Sequence, residues 1–258
     1  MSRLQFPSMI AFDYGQTLIN EQKYDLKSGF AALLSAATSN PDNVTADEVF
    51  SLYKSVRADA GYCGVEGLPR IEVQWNCVKN YLFDYFSVVL PFDDDFETEK
   101  YFLENVYDCT PSPGIGELLD FINSKCIRTC VASNLSYSKK WLTFLINSLI
   151  PDNNFEFIEV SSDCVYRKPH PRYFELLAKR CRLNPDEIWF CGDNPVCDVD
   201  GSAAAGMSPF WYREITELSP ITRGRTALPK YDYTPLWSWK EFENIIEKIE
   251  EMSLNHLI

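Results

Sequence analysis

From residue 115 onward the chain alternates stretches of helical spacing with short apolar runs, and nothing else in the sequence constrains the fold as strongly. Helical spacing over 115–125 leads into the apolar run 127–132, and 139–148 leads into 157–160. The pattern repeats with 172–182 into 188–191 and with the small-residue stretch 201–206 into 209–212. Runs this short and this continuously apolar suit strands covered on both faces. Strands separated by helices pair in parallel, through right-handed crossovers. A further apolar run at 9–12 delivers Asp13 and predicts one more strand of the same sheet. A helix over 239–253 closes the pattern.

Residues 22–108 have a different texture. Leu26, Phe30, Leu33 and Leu34 recur at helical spacing within 24–38. The run from Thr45 to Glu48 reads TADE, a capping box that opens a helix through Val49, Phe50 and Tyr53. Segments 71–86 and 96–107 continue in the same way. Four helices with no strand signal predict a helical module, residues 21–108, inserted into an α/β domain made of 1–20 and 109–258.

The chain has 258 residues, long enough for one large domain or a domain with an insert. Its 37 acidic and 24 basic residues give a net charge of −13. That balance argues against nucleic acid or an anionic membrane as partner, yet a locally positive pocket can still take a small anion. Nine cysteines and two histidines occur with no C-x-x-C pair, which argues against a zinc site and fits small core thiols of a reducing compartment. The N-terminal stretch does not read as a signal peptide, and no run reaches the ~18 apolar residues of a membrane span. The expected location is cytoplasmic, as a monomer or homodimer.

In a parallel sheet, ligands collect beyond the carboxyl ends of the strands. Asp13 ends the first expected strand, Ser133 the second and Asp193 the fourth, while Lys168 follows the third. Two carboxylates, a hydroxyl and an ammonium at one crevice describe a phosphoryl-transfer site. Aspartate serves as nucleophile, and a hard oxygen-seeking ion such as Mg²⁺ offsets the repulsion between anions.

Four motifs carry a resemblance to a known family. FDYGQT at 12–17 resembles the first motif, D-x-D-G-T, of the haloacid dehalogenase-like superfamily, and VASN at 131–134 resembles its second. KPHP at 168–171 with Phe174 is similar to the third, K-P-x-P-x-x-F, and GDNPVCD at 192–198 to the fourth, G-D-x-x-x-x-D. They stand in family order across the α/β domain. The resemblance implies a Rossmann-like core with an α-helical cap inserted after the first motif. It implies Asp13 as nucleophile, Ser133 as a phosphoryl-binding group with Asn134 beside it, and Lys168 as the neutralising cation. It places Mg²⁺ on Asp13, the Gly15 carbonyl and Asp193, with Asp198 at the ion or orienting Lys168, and it has Thr17 brace the loop. The implied substrate is a small phosphorylated or otherwise anionic metabolite.

One position departs from the pattern. Family phosphatases carry a second aspartate two residues after the nucleophile, as general acid and base. Here that residue is Gly15, followed by Gln16. Such proton transfer is typically worth ~10²–10⁴-fold in rate. Three readings follow. One is a Mg²⁺-dependent phosphatase whose leaving group needs little protonation, or whose proton comes from elsewhere. Another is a haloacid dehalogenase or phosphonatase-type hydrolase, the latter needing a cap lysine among Lys23, Lys27, Lys54 and Lys79. The third is a weakly active or non-catalytic binder of phosphorylated ligands. Asp193 and Asp198 favour the first, because halide displacement needs no metal. Gln16 could reach the leaving group or the cap, and His170 is a candidate proton carrier. Arg57, Tyr62, Gln74 and Trp75 are candidate substrate contacts. Asp200 is expected to face solvent, and the aromatic groups 81–86 and 210–212 to pack in the core.

Overall fold

The computed structural model describes residues 4–61, 71–214 and 227–255. Its centre is a six-stranded parallel sheet: β1 (Met9–Phe12), β4 (Arg128–Ser133), β5 (Ile158–Val160), β6 (Ile188–Gly192), β7 (Ser208–Tyr212) and β8 (Thr234–Leu236), in the order β5-β4-β1-β6-β7-β8. β1 lies between β4 and β6, with Phe12 opposite Val131 on one side and Cys191 on the other. That register brings the carboxyl ends of β1, β4 and β6 side by side.

All four residues of β1 are buried. Successive side chains of a strand point to opposite faces, and β1 serves two apolar layers accordingly. Met9 and Ala11 pack with Tyr173, Phe174 and Leu177 of α7 (Pro171–Cys181). Ile10 and Phe12 join a second layer that takes Leu118 of α5 (Ile115–Ser124), Leu142 of α6 (Lys139–Leu149) and Phe242 of α9 (Trp239–Leu254). The short helix α8 (Gly201–Ala204) sits against α7 and β7.

Four helices lie between β1 and α5 in sequence: α1 (Leu26–Ala36), α2 (Ala46–Asp59), α3 (Trp75–Tyr85) and α4 (Asp95–Glu104). The capping box at Thr45 forms as the sequence suggests, with Thr45 N–H donating to Glu48 Oε2 at 2.8 Å and Glu48 N–H to Thr45 Oγ1 at 3.4 Å. The expectation of helices alone over this region does not hold. An antiparallel ribbon of β2 (Ile19–Tyr24) and β3 (Tyr107–Pro111) brackets the four helices. Its sequences, INEQKY and YDCTP, carry no apolar alternation, and only their mutual pairing defines them. α1 therefore begins after Asp25, whose carboxylate accepts from the N–H groups of Lys27 and Ser28. β8, three residues with a central proline, is likewise an edge strand without a sequence signature.

The helices dock on the core through side chains that reach main-chain groups. Gln74 Nε2 donates to the Ser162 carbonyl at 2.9 Å, and the Ser138 N–H donates to Glu99 Oε1 at 2.8 Å. Glu72 pairs with Arg167 and accepts from Ser161 Oγ at 2.5 Å. Of the aromatic groups expected in the core, Phe210, Trp211 and Tyr212 are buried, but Tyr81 and Tyr85 are 52% and 63% exposed. They lie on the solvent face of α3, whose buried face is formed by Trp75, Val78, Lys79, Leu82 and Phe83. No helix among the described residues is long and apolar enough to cross a membrane.

Candidate active site

The sheet delivers Asp13 to a fixed point, because its N–H still donates to the Cys191 carbonyl at 2.8 Å, one step beyond the last residue of β1. The chain then turns sharply. Leu18 and Ile19 both donate to the Tyr14 carbonyl, and Gln16 N–H donates to the Ile19 carbonyl at 2.7 Å. Gln16 takes a φ of 59°, in the left-handed region that a glycine adopts more readily. Its side chain holds it there, with Nε2 donating to the Glu21 carbonyl at 2.9 Å.

Lys168 crosses under this turn. Its side chain is buried, and its ammonium lies 2.7 Å from Asp13 Oδ1, 2.7 Å from Asp198 Oδ1 and 2.8 Å from the Ala132 carbonyl. Its backbone is clamped by Asn134, which accepts from Lys168 N–H at 2.7 Å and donates to the Lys168 carbonyl at 2.8 Å. The Asn134 amide thus holds the lysine's backbone at the wall of the cavity. Asp198 is reached through a wide helical turn over Pro195–Asp200, in which the Val199 N–H reaches back five residues to the Asn194 carbonyl. Both its oxygens have protein partners, Lys168 on Oδ1 and the Asn194 N–H on Oδ2 at 2.9 Å. That arrangement suits orientation of the lysine.

Electrostatics follow from burial. Burial disfavours the Asp198 carboxylate, and with repulsion from Asp13 it outweighs the attraction of Lys168, so the acid is pushed up to about 6. Burial disfavours the Lys168 cation too, but two adjacent carboxylates prevail and its pKa is raised above the usual lysine range.

Asp13, Asp193 and Asp198 place carboxylate oxygens within 4.8 Å of one another. Three buried carboxylates against one ammonium leave an excess of negative charge at the site, and the donors are all oxygen. This set fits a hard divalent cation and not a soft one. The carboxylates of Asp13 and Asp193 would hold it, with the Gly15 carbonyl at the same turn.

The cavity above these groups measures about 310 Å³. Besides Asp13, Gly15, Gln16, Ser133, Asn134, Lys168, Asp193 and Asp198, it is lined by residues that sequence reasoning missed: Glu21 and Tyr24 from β2, Tyr107 from β3, and Arg167. A larger hollow of about 410 Å³ beside Pro111–Gly116 has only acidic residues, Glu117, Asp120 and Asp152, as charged lining. It has none of the cation–carboxylate convergence seen at Asp13.

Several candidates lie elsewhere. His170 caps α7, accepting from the Arg172 N–H at 3.2 Å, and stacks on Tyr166. Trp75 packs against Phe102, Gln74 binds the Ser162 carbonyl, and Arg57 lies over the Tyr53 ring. None of the four lines the cavity. Lys79 pairs with Asp95, Lys27 with Asp47, and Lys54 lies over Phe50. Neither these three lysines nor Lys23 lines the cavity. Asp200 does not face solvent: it is buried and accepts from the N–H groups of Lys230 at 2.7 Å and Tyr231 at 3.2 Å. The Thr17 hydroxyl is buried and makes no hydrogen bond with the described residues, so any bracing comes from the backbone of the turn. Tyr62 lies outside the described residues.

A parallel sheet with an acid–lysine–acid cluster at its carboxyl edge and a helical insert after the first strand defines a class of hydrolase. A profile of haloacid dehalogenase-like hydrolases matches residues 9–206, and the chain belongs to that family. Haloacid dehalogenase-like hydrolase domain-containing protein 3 of Homo sapiens is 27% identical over 122 residues, 47% of each chain. Glyceraldehyde 3-phosphate phosphatase of Pyrococcus furiosus is 27% identical over 101 residues, 39% of this chain and 41% of that one. The chain thus spans less than half the length of these curated relatives. Among solved structures, 2-haloacid dehalogenase from Pseudomonas syringae pv. Tomato DC3000 superposes with a TM-score of 0.65 at 16% identity, over 94% of this chain and 99% of that one.

Proposed function

We propose that the protein is a Mg²⁺-dependent phosphatase that acts on a small phosphorylated metabolite through a phospho-aspartate on Asp13. The observation that carries this reading is the buried trio Asp13, Asp193 and Asp198, two of which, Asp13 and Asp198, pair with the Lys168 ammonium. A halide-displacing site has no use for three clustered carboxylates, and none of the candidate Schiff-base lysines lines the cavity. The resemblance over 101 residues to the glyceraldehyde 3-phosphate phosphatase of Pyrococcus furiosus supports the same reading.

The chain's own groups have separable tasks. Asp13 attacks phosphorus in line, and its position is set by sheet pairing through its own N–H. Lys168 neutralises the nucleophile and the incoming anion from below. Ser133, at the end of the adjacent strand, offers a hydroxyl to the phosphoryl oxygens. Arg167 lines the cavity wall, with its guanidinium paired to Glu72. Mg²⁺ held by Asp13 and Asp193 would offset the remaining negative charge as the two anions approach.

A substrate panel of alkyl phosphates, acyl phosphates, 2-haloacids and phosphonates, assayed with and without Mg²⁺, tests the reading. Phosphate release that requires Mg²⁺ is expected, and Asp13→Asn should abolish it. Halide release without metal would overturn the proposal.

A further inference from the structure

The cavity has a feature that the family resemblance does not account for. A side chain at position 15 would begin at a Cβ lying 3.2 Å from Glu21 Oε2 and 3.5 Å from Oε1. The place where a second aspartate would project is therefore already occupied by a carboxylate, supplied by β2 instead of the nucleophile loop. Resting on the phosphatase reading above, we propose that Glu21 is the general acid and base of this enzyme.

Three further observations support the assignment. Glu21 lines the cavity together with Asp13 and Gly15. Its backbone is fixed on both sides: it pairs with Cys109 across the β2–β3 ribbon, and its carbonyl accepts from Gln16 Nε2 at 2.9 Å. The two departures from the family pattern then become one arrangement. Gly15 leaves the space that the Glu21 carboxylate takes, and Gln16 ties the strand bearing Glu21 to the loop bearing Asp13. The aromatic lining completes the setting, since Tyr14, Tyr24 and Tyr107 also line the cavity and limit the water that reaches it.

The chemistry balances in two steps. In the first, an Asp13 oxygen bonds to phosphorus as the bond from phosphorus to the leaving oxygen breaks. The leaving oxygen takes the proton of the Glu21 carboxyl and departs as an alcohol. In the second, the Glu21 carboxylate removes a proton from water. The water oxygen bonds to phosphorus, the bond between phosphorus and Asp13 breaks, and inorganic phosphate leaves with Asp13 and protonated Glu21 restored. One water is consumed, and one alcohol and one phosphate are produced.

The test compares leaving groups. kcat/KM reports the first step, in which an alkoxide needs a proton and a carboxylate released from an acyl phosphate does not. Glu21→Gln should lower kcat/KM for an alkyl phosphate by about 10²–10⁴-fold and for acetyl phosphate far less. The double variant Gly15→Asp with Glu21→Ala clears the space beside position 15, moves the carboxyl back onto the loop and should recover much of the lost alkyl-phosphate activity. Equal falls on both substrates, with no recovery in the double variant, would reveal a structural role and overturn the assignment. An unchanged alkyl-phosphate rate in Glu21→Gln would overturn it as well. A wild-type enzyme inactive on every phosphate would instead sink the phosphatase reading, and this inference with it.

Discussion

At the scale of single residues, the site is organised around one buried cation. Lys168 donates to Asp13 and to the Ala132 carbonyl, and its ammonium forms an ion pair with Asp198 at 2.7 Å. Breaking a buried ion pair from one side leaves an uncompensated charge, which costs ~3–5 kcal/mol, while removing both partners costs much less. Lys168→Met strips the counter-charge from two carboxylates at once. It should lower the urea midpoint strongly and abolish turnover. Adding Asp198→Asn to Lys168→Met should recover part of the stability but none of the activity. A double variant no more stable than the single would mean that Asp198 and Lys168 are not energetically coupled. Gly15 and Gln16 show the opposite logic, in which a missing side chain and a strained one acquire meaning only from Glu21.

At the scale of elements, strand ends set the site's dimensions. Gly192 ends β6 under Asp198, and a Cβ there would lie 2.4 Å from Asp198 Cγ and 2.5 Å from Oδ2. Gly192→Ala should therefore push Asp198 off Lys168, with a stability loss of about 1–3 kcal/mol and an activity loss on the order of 10²-fold. Gly116→Ala, whose added Cβ meets nothing within 4 Å on the exposed face of α5, is the control and should leave activity intact. Steady-state kinetics beside denaturant melts would check both; equal effects of the two substitutions would contradict the steric account. The same dependence on neighbours explains what could be read from sequence. β1, β4, β6 and β7 were legible because strands covered on both faces need unbroken apolar runs, and their ends carry Asp13, Ser133 and Asp193. β2 and β3 were not, because a two-stranded ribbon with exposed faces can use polar residues, and its pairing partners lie more than eighty positions apart. Glu21 went unseen for that reason alone. Its residue type was plain, but the strand that carries it into the cavity was invisible.

At the scale of the whole molecule, the question is whether the helical insert and the sheet behave as one unit. A single buried apolar network joins them, running from Phe30, Leu33 and Phe102 in the insert to Phe12, Trp141 and Phe242 in the core. Polar ties cross the same junction. Glu99 is 1% exposed, accepts from the Ser138 N–H at 2.8 Å and from the Ser138 hydroxyl, and burial pushes its carboxyl up. Ser138 in turn caps α6, its hydroxyl accepting from the Trp141 N–H at 3.1 Å. Glu99→Ala therefore removes the partner of a half-buried main-chain donor, at a cost of about 1–3 kcal/mol. Because the network is shared, that cost should fall on the whole fold. Unfolding in urea, followed by tryptophan fluorescence and by far-ultraviolet dichroism, should give one coincident transition in wild type and in Glu99→Ala, shifted to lower denaturant in the variant with the slope unchanged. If the two probes separate, or the slope falls, the insert melts on its own. The junction that holds β2, and with it Glu21, over Asp13 would then be a hinge instead of a packed seam.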